Sequence, residues 1–138
     1  MESGLPFEYL DFKLSISRAG DGVWAHVTES PAGQTRMHAV DLPLAPGDWL
    51  MALPGSSLRE FGAQLYGATF AGEAGTCLCL SLEKASAQGK GLRICLALDG
   101  ADLAGVPWEY LYVPGIDRFL AHSEQTTLVR NLPLTRHR

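Results

Sequence analysis

Leu92, Ile94, Leu96 and Leu98 alternate with Arg93, Cys95, Ala97 and Asp99. One side of this stretch is therefore apolar throughout and the other mixed, which predicts a strand with one buried face. Leu10, Phe12, Leu14 and Ile16 alternate with Asp11, Lys13, Ser15 and Ser17 in the same way. A turn cluster, Arg18-Ala19-Gly20-Asp21-Gly22, leads to Val23, Ala25 and Val27, which alternate with Trp24, His26 and Thr28. Because glycine accepts positive φ at low cost, this reads as a β-hairpin. Ser30-Pro31-Ala32-Gly33 breaks the second strand, and Thr35 to Leu42 carries enough alternation for a third, antiparallel one. The run Leu42-Pro43-Leu44-Ala45-Pro46-Gly47 ends it.

The period then changes. Asp48 to Leu53 suits one helical turn with Asp48 as its cap, halted by Pro54-Gly55. Ser57 and Glu60 have capping-box spacing and predict a helix from Leu58 to Ala71, with Leu58, Phe61, Leu65 and Ala68 inward and Thr69 or Phe70 completing the stripe. Gly62 and Gly67 each weaken this helix by up to about 1 kcal/mol relative to alanine, so it depends on tertiary packing. A second helix is expected from Glu73 to Gln88, with Ala74, Leu78, Leu82 and Ala85 inward and Gly89 capping its end. After the Leu92–Leu98 strand, Pro107 starts a short helical turn whose Trp108, Leu111 and Tyr112 share a face. Val113-Pro114-Gly115 turns the chain into a closing strand pair around Phe119-Leu120 and Thr127-Leu128-Val129. The expected class is α+β: an N-terminal antiparallel meander, two helices, a strand, a short helix and a closing strand pair.

A chain of 138 residues suits a single domain spanning residues 1–138, and 46% hydrophobic residues can fill a sizeable core. The net charge of −4 is dispersed, with no basic face to neutralise phosphates, so nucleic-acid binding is not expected. No window is apolar enough to span a bilayer, and Met1 to Pro6 lacks the pattern of a secretory leader. A cytoplasmic protein is predicted, with its three cysteines reduced. No internal repeat, linker or low-complexity segment interrupts the chain.

Candidate chemistry is sparse. Cys77 and Cys79 are separated by one residue, and helix positions two apart point about 200° away from each other, so they cannot readily chelate one ion. With Cys95 they read as small buried hydrophobes. No metal site and no cofactor is expected. His26, His38, His122 and His137 are scattered, and His122, on the closing strand, is the least implausible base for a thiol. Trp108 reads as a core anchor with its indole N–H satisfied nearby, and Glu109 as a helix-start carboxylate in a favourable dipole. Gly100, Gly105 and Gly115 form no phosphate cradle.

Leu92 to Leu98, Leu103, Val106-Pro107-Trp108-Glu109-Tyr110-Leu111-Tyr112, Arg118-Phe119-Leu120-Ala121 and Thr127-Leu128-Val129-Arg130 together resemble the opening of the CHAT domain. This is a caspase-like peptidase family common in bacterial multidomain proteins. Tyr9-Leu10-Asp11-Phe12, Ser30-Pro31-Ala32-Gly33 and Arg59-Glu60-Phe61-Gly62 resemble the leader that precedes this opening in many members. The resemblance implies a structural motif at Pro107, Trp108, Glu109, Tyr110, Phe119 and Leu120. It also implies that the family's catalytic His and Cys belong to a later segment, so this chain is expected to be no enzyme and to have no catalytic residue. Two readings follow. One is a non-catalytic scaffold or regulatory portion of a CHAT peptidase system, partnered by the remainder of such a chain or by a separate protein, with an exposed apolar surface where the sheet continues. The other is a stand-alone interaction module that forms a homo-oligomer or binds a protein partner.

Overall fold

The computed structural model describes residues 8–20, 22–42, 58–100, 103–106, 108–114, 118–122 and 126–131. Strands β1 (Tyr9–Ala19) and β4 (Gly91–Asp99) lie side by side at its centre. They run parallel, with Phe12 opposite Ile94, Leu14 opposite Leu96 and Ile16 opposite Leu98. Two apolar alternations in matching register put all their large side chains on one face, and each of these six is at most 1% exposed. Burial of that kind stabilises by roughly 1.5–3 kcal/mol per side chain and fixes the register, since a one-residue slip would turn the whole row to water.

The expected hairpin forms. β2 (Gly22–Glu29) pairs antiparallel with β1, and Gly20 sits at φ 63° in the connection, a backbone region that costs glycine little. The third strand, β3 (His38–Val40), pairs antiparallel with β2 but is shorter than the expected Thr35–Leu42. Thr35 is taken up earlier, its hydroxyl accepting from the Val27 N–H at 2.9 Å and its own N–H donating to the Val27 carbonyl at 3.1 Å. The turn expected at Asp48–Leu53 and the Ser57 cap lie outside the described residues.

Helices α1 (Leu58–Thr69) and α2 (Glu73–Ala87) cover the apolar face of the sheet. On α1, Phe61 and Leu65 are buried as expected, while Thr69 and Phe70 complete the stripe and Ala68 is only half-buried. On α2, Ala74, Leu78 and Ala85 are buried with Cys77 and Ser81, whereas Leu82 is half-buried. Gly89, at φ 71°, ends the helix. The N–H groups of Gln88 and Lys90 donate to the Ala85 carbonyl and that of Gly89 to the Ser86 carbonyl, which satisfies the last turn.

After β4 the chain makes two three-residue 3₁₀ turns, Leu103–Gly105 and Trp108–Tyr110. The two closing runs do not pair with each other. β5 (Tyr112–Val113) takes β6 (Arg118–Phe119) as its antiparallel partner, and a third 3₁₀ turn, Leu120–His122, redirects the chain. The Leu120 N–H donates to the Leu111 carbonyl at 2.9 Å, and the Thr126 hydroxyl donates to the Leu120 carbonyl at 2.5 Å. These two bonds start β7 (Thr126–Asn131) beside Leu92, parallel to β4. The main sheet is therefore mixed, in the order β3-β2-β1-β4-β7. Its second face, carrying Asp11, Lys13, Trp24, Arg93, Ala97 and Asp99, is partly exposed and has no helix against it among the described residues.

Candidate functional site

The residues singled out between Val106 and Arg130 converge on one corner of the fold. Trp108 is fully buried, and its indole Nε1–H donates to the Leu103 carbonyl at 2.9 Å, so the polar edge of a large ring costs nothing to bury. Trp108 is followed by Glu109, whose two carboxylate oxygens each accept a 2.6 Å hydrogen bond from Arg130, one from Nε and one from Nη2. The same Nη2 donates to the Val106 carbonyl at 2.8 Å. This is a bidentate, charge-assisted pair. The Arg130 hydrogen bonds hold the Glu109 carboxyl below its ordinary pKa, against a smaller opposing effect of burial.

Tyr110 is half-buried against the core. Phe119 meets Tyr112 edge to face with ring centroids 5.0 Å apart, and Leu120 is fully buried. Pro107 lies outside the described residues. The turn spanning Trp108 to Tyr110 is too short for a helix dipole to hold Glu109, and Arg130, twenty-one positions on, holds it instead. Sequence periodicity could not show that pair, because its partners sit on different elements. The only signal for it was the presence of both residues in the motif that carries the CHAT resemblance.

Gly62 gives α1 its approach to this corner. A Cβ there would collide with the Tyr110 carbonyl oxygen and stand 2.9 Å from Tyr112 Cβ. A residue that weakens the isolated helix thus permits its docking.

The thiols do not assemble into a site. Cys77 is buried, with Sγ 3.1 Å from the Ser30 hydroxyl. Cys79 is exposed, which corrects the expectation that all three cysteines are buried: residues two apart on a helix face opposite ways, and only one can reach the sheet. Cys95 is buried on the otherwise open face, where desolvation and then the Asp11 carboxylate push its thiol up. His38 Nε2 donates to the Thr69 carbonyl at 2.8 Å. His122 lies on a 3₁₀ turn rather than a strand, and His137 is outside the described residues. Among the described residues no three His, Cys, Asp or Glu side chains are placed to hold a metal ion, and no helix is long and apolar enough to cross a membrane.

Two depressions among those on the described surface lie away from this corner. One, of about 370 Å³, lies beside Arg36, Met37 and the start of α2, where Glu73 binds Arg36. The other, of about 690 Å³, follows the beginning of β1.

Fold and site together define an α+β domain on a mixed five-stranded sheet, with a buried tryptophan and an Arg–Glu latch fastening its parallel edge strand. No family model, no curated protein and no solved structure matches the chain.

Proposed function

We propose that this chain is the non-catalytic framework of a bacterial, cytoplasmic CHAT peptidase system, scaffolding or regulating a catalytic portion on a longer chain or a separate polypeptide. One observation carries the reading. The segments that resemble the CHAT opening, dispersed over residues 92–130, gather into a single unit in which β4, the Trp108 turn, the β5–β6 pair and β7 brace one another through the Glu109–Arg130 latch. A motif that locks a strand in place accounts for those residue types occurring together. β7 ends the sheet with Val129 38% exposed, and an edge strand offers backbone groups to which a sheet can be extended.

The test has two arms. The isolated chain, assayed against a broad panel of fluorogenic peptides, is expected to show no cysteine-dependent turnover. Turnover abolished by Cys77→Ala, Cys79→Ala or Cys95→Ala would overturn the reading. Reading the gene beyond the codon for Arg138, and its immediate neighbour, is expected to reveal a segment bearing the family's His and Cys.

A stand-alone interaction module is the second reading, supported by the burial of Phe12, Leu65, Leu78, Ile94, Trp108 and Leu111 among the described residues. A defined homo-oligomer in sedimentation, with no peptidase segment encoded nearby, would select it.

A further inference from the structure

β7 is the last strand of the main sheet among the described residues, so one of its edges faces no strand there. Which main-chain groups it turns to that edge follows from the ladder. On β2 the Val27 N–H donates to the Thr35 hydroxyl and the Val27 carbonyl accepts from the Thr35 N–H, so Val27 points away from β1. Successive residues of a strand point their main-chain groups to opposite edges. His26 therefore points toward β1, and its partner Ser15 points back toward β2. The even positions of β1 are left for β4, and the Glu8 carbonyl accordingly accepts from the Gly91 N–H at 2.9 Å. In a parallel pair a residue bonds to the neighbours of the residue opposite it. Odd positions of β4 thus serve β1, while Leu92, Ile94 and Leu96 serve β7, where their partners are Thr127, Val129 and Asn131. Thr126, Leu128 and Arg130 are the positions that face the outer edge.

β7 carries none of the devices that keep an edge strand to itself. Its register against β4 runs without a bulge. Its six residues hold neither proline nor lysine, and its one charge, on Arg130, is taken up by Glu109. β3, at the opposite end of the sheet, is protected by having only three residues. Leu128 sits half-buried at the rim of the core, and Val129 is 38% exposed on the open face.

The strand is also complementary to itself. A two-fold axis through Leu128 sets two copies antiparallel with Leu128 opposite Leu128, and the outward N–H and carbonyl of each then answer those of the other. Leucine meets leucine beside the core, and Thr127 lies opposite Val129 on the open face as a β-branched pair. Arg130 lies opposite Thr126, so no like charges face each other. An axis through Val129 would set Leu128 against Arg130 and lose that match. An axis between residues is excluded, because it would set outward groups against inward ones.

We propose that β7 is a self-association edge, at which two copies of this chain join antiparallel and their five-stranded sheets become continuous. The proposal rests on the second reading above, a stand-alone module that self-associates, and gives it a surface and a register. A second copy is the occupant that the two-fold match identifies, since a foreign strand needs no such symmetry in β7. Under the first reading the same edge is taken by a continuing sheet, and the isolated chain stays monomeric.

The test is sedimentation of the full chain from about 1 µM to about 1 mM, the range suited to a small interface of one strand pair. A monomer–dimer equilibrium is expected. Thr127→Lys combined with Val129→Lys sets ammonium groups opposite each other across the axis and should weaken the dimer at least about tenfold. Thr127→Glu combined with Val129→Lys sets opposite charges there and should restore it. Amide exchange assigns the surface: the Leu128 N–H should be protected only at concentrations where the dimer forms. The amides of Ile94 and Leu96, bonded within the sheet, should stay protected throughout and report that each variant is folded. A mixture of labelled and unlabelled chain should show an intermolecular contact between the Hα atoms of Thr127 and Val129, the closely spaced pair of this register. A chain monomeric up to about 1 mM would overturn both the proposal and the second reading. A dimer that neither pair of substitutions alters, with Leu128 exchanging at one rate throughout, would overturn the proposal alone and leave self-association through another surface. Equal weakening by both pairs would overturn the register and the proposal with it.

Discussion

Arg130 reaches from β7 to Glu109 with two hydrogen bonds of 2.6 Å, and so ties the end of the sheet to the turn that carries Trp108. Arg130 is 27% exposed and Glu109 47% in their side chains, so water screens the pair in part. The bidentate geometry sets it above an ordinary surface ion pair, and Arg130→Ala is expected to cost about 1–2 kcal/mol in urea unfolding.

The same pair sets a pH dependence. Glu109's carboxyl is held low in the folded chain, chiefly by the Arg130 hydrogen bonds. A carboxyl so depressed contributes stability that is fully present above its unfolded pKa, about 4.3, and is lost as pH falls through the lower folded value. The stability difference between the native chain and Glu109→Gln should therefore be largest near pH 7 and shrink below about pH 4. A gap that stays constant across that window would show that charge does not hold the latch.

Trp108 is fully buried with its one donor satisfied by Leu103. Trp108→Ala should lower stability by about 3–5 kcal/mol, the cost of deleting a large core aromatic. Trp108→Phe keeps most of the packing and removes one of two donors to the Leu103 carbonyl, which retains the Val106 N–H, so about 0.5–1.5 kcal/mol is expected. Denaturant midpoints of both variants measure this, and an unchanged midpoint for the alanine variant would place the ring outside the core.

Local pattern made the strands, both helices and the buried row of β4 legible, because each rests on side-chain period within a single element. Cys79 departs from the small-hydrophobe reading because the helix period turns it away from the face that buries Cys77. The parallel pairing of β7 with β4 was not legible, because it depends on hydrogen bonds at Leu111, Leu120 and Thr126 that redirect the chain between two short runs. Glu109 and Arg130 both belong to the motif residues, but their pairing was not legible.

Gly62 and Gly67 lie on the same helix with opposite consequences. Gly67 is exposed and a Cβ there meets nothing within 4 Å, so Gly67→Ala should stabilise by about 0.5–1 kcal/mol through helix propensity and a less flexible unfolded chain. Gly62→Ala gains the same propensity but drives a methyl into the Tyr110 backbone. Overpacking of that kind costs about 1–3 kcal/mol, more than propensity returns, so the variant should melt lower. Thermal melts that move in the same direction for both substitutions would show that α1 does not dock against the Trp108 turn.

The three cysteines give a final check on the sheet and on α2 together. Cys79 is exposed and Cys77 and Cys95 are buried, and Cys95 is also held toward its neutral thiol by desolvation and by Asp11. Only the thiolate reacts, so access and proton affinity act together. An aromatic disulfide reagent should titrate one thiol rapidly in the native chain at neutral pH and the other two only on unfolding. Cys79→Ser should remove the fast phase and leave the slow ones. A fast phase that survives this substitution would mean that α2 opens from the sheet on the timescale of labelling, or that Cys95 is accessible on the open face. Repeating the experiment with Cys95→Ser separates the two, because only the second predicts loss of the residual phase.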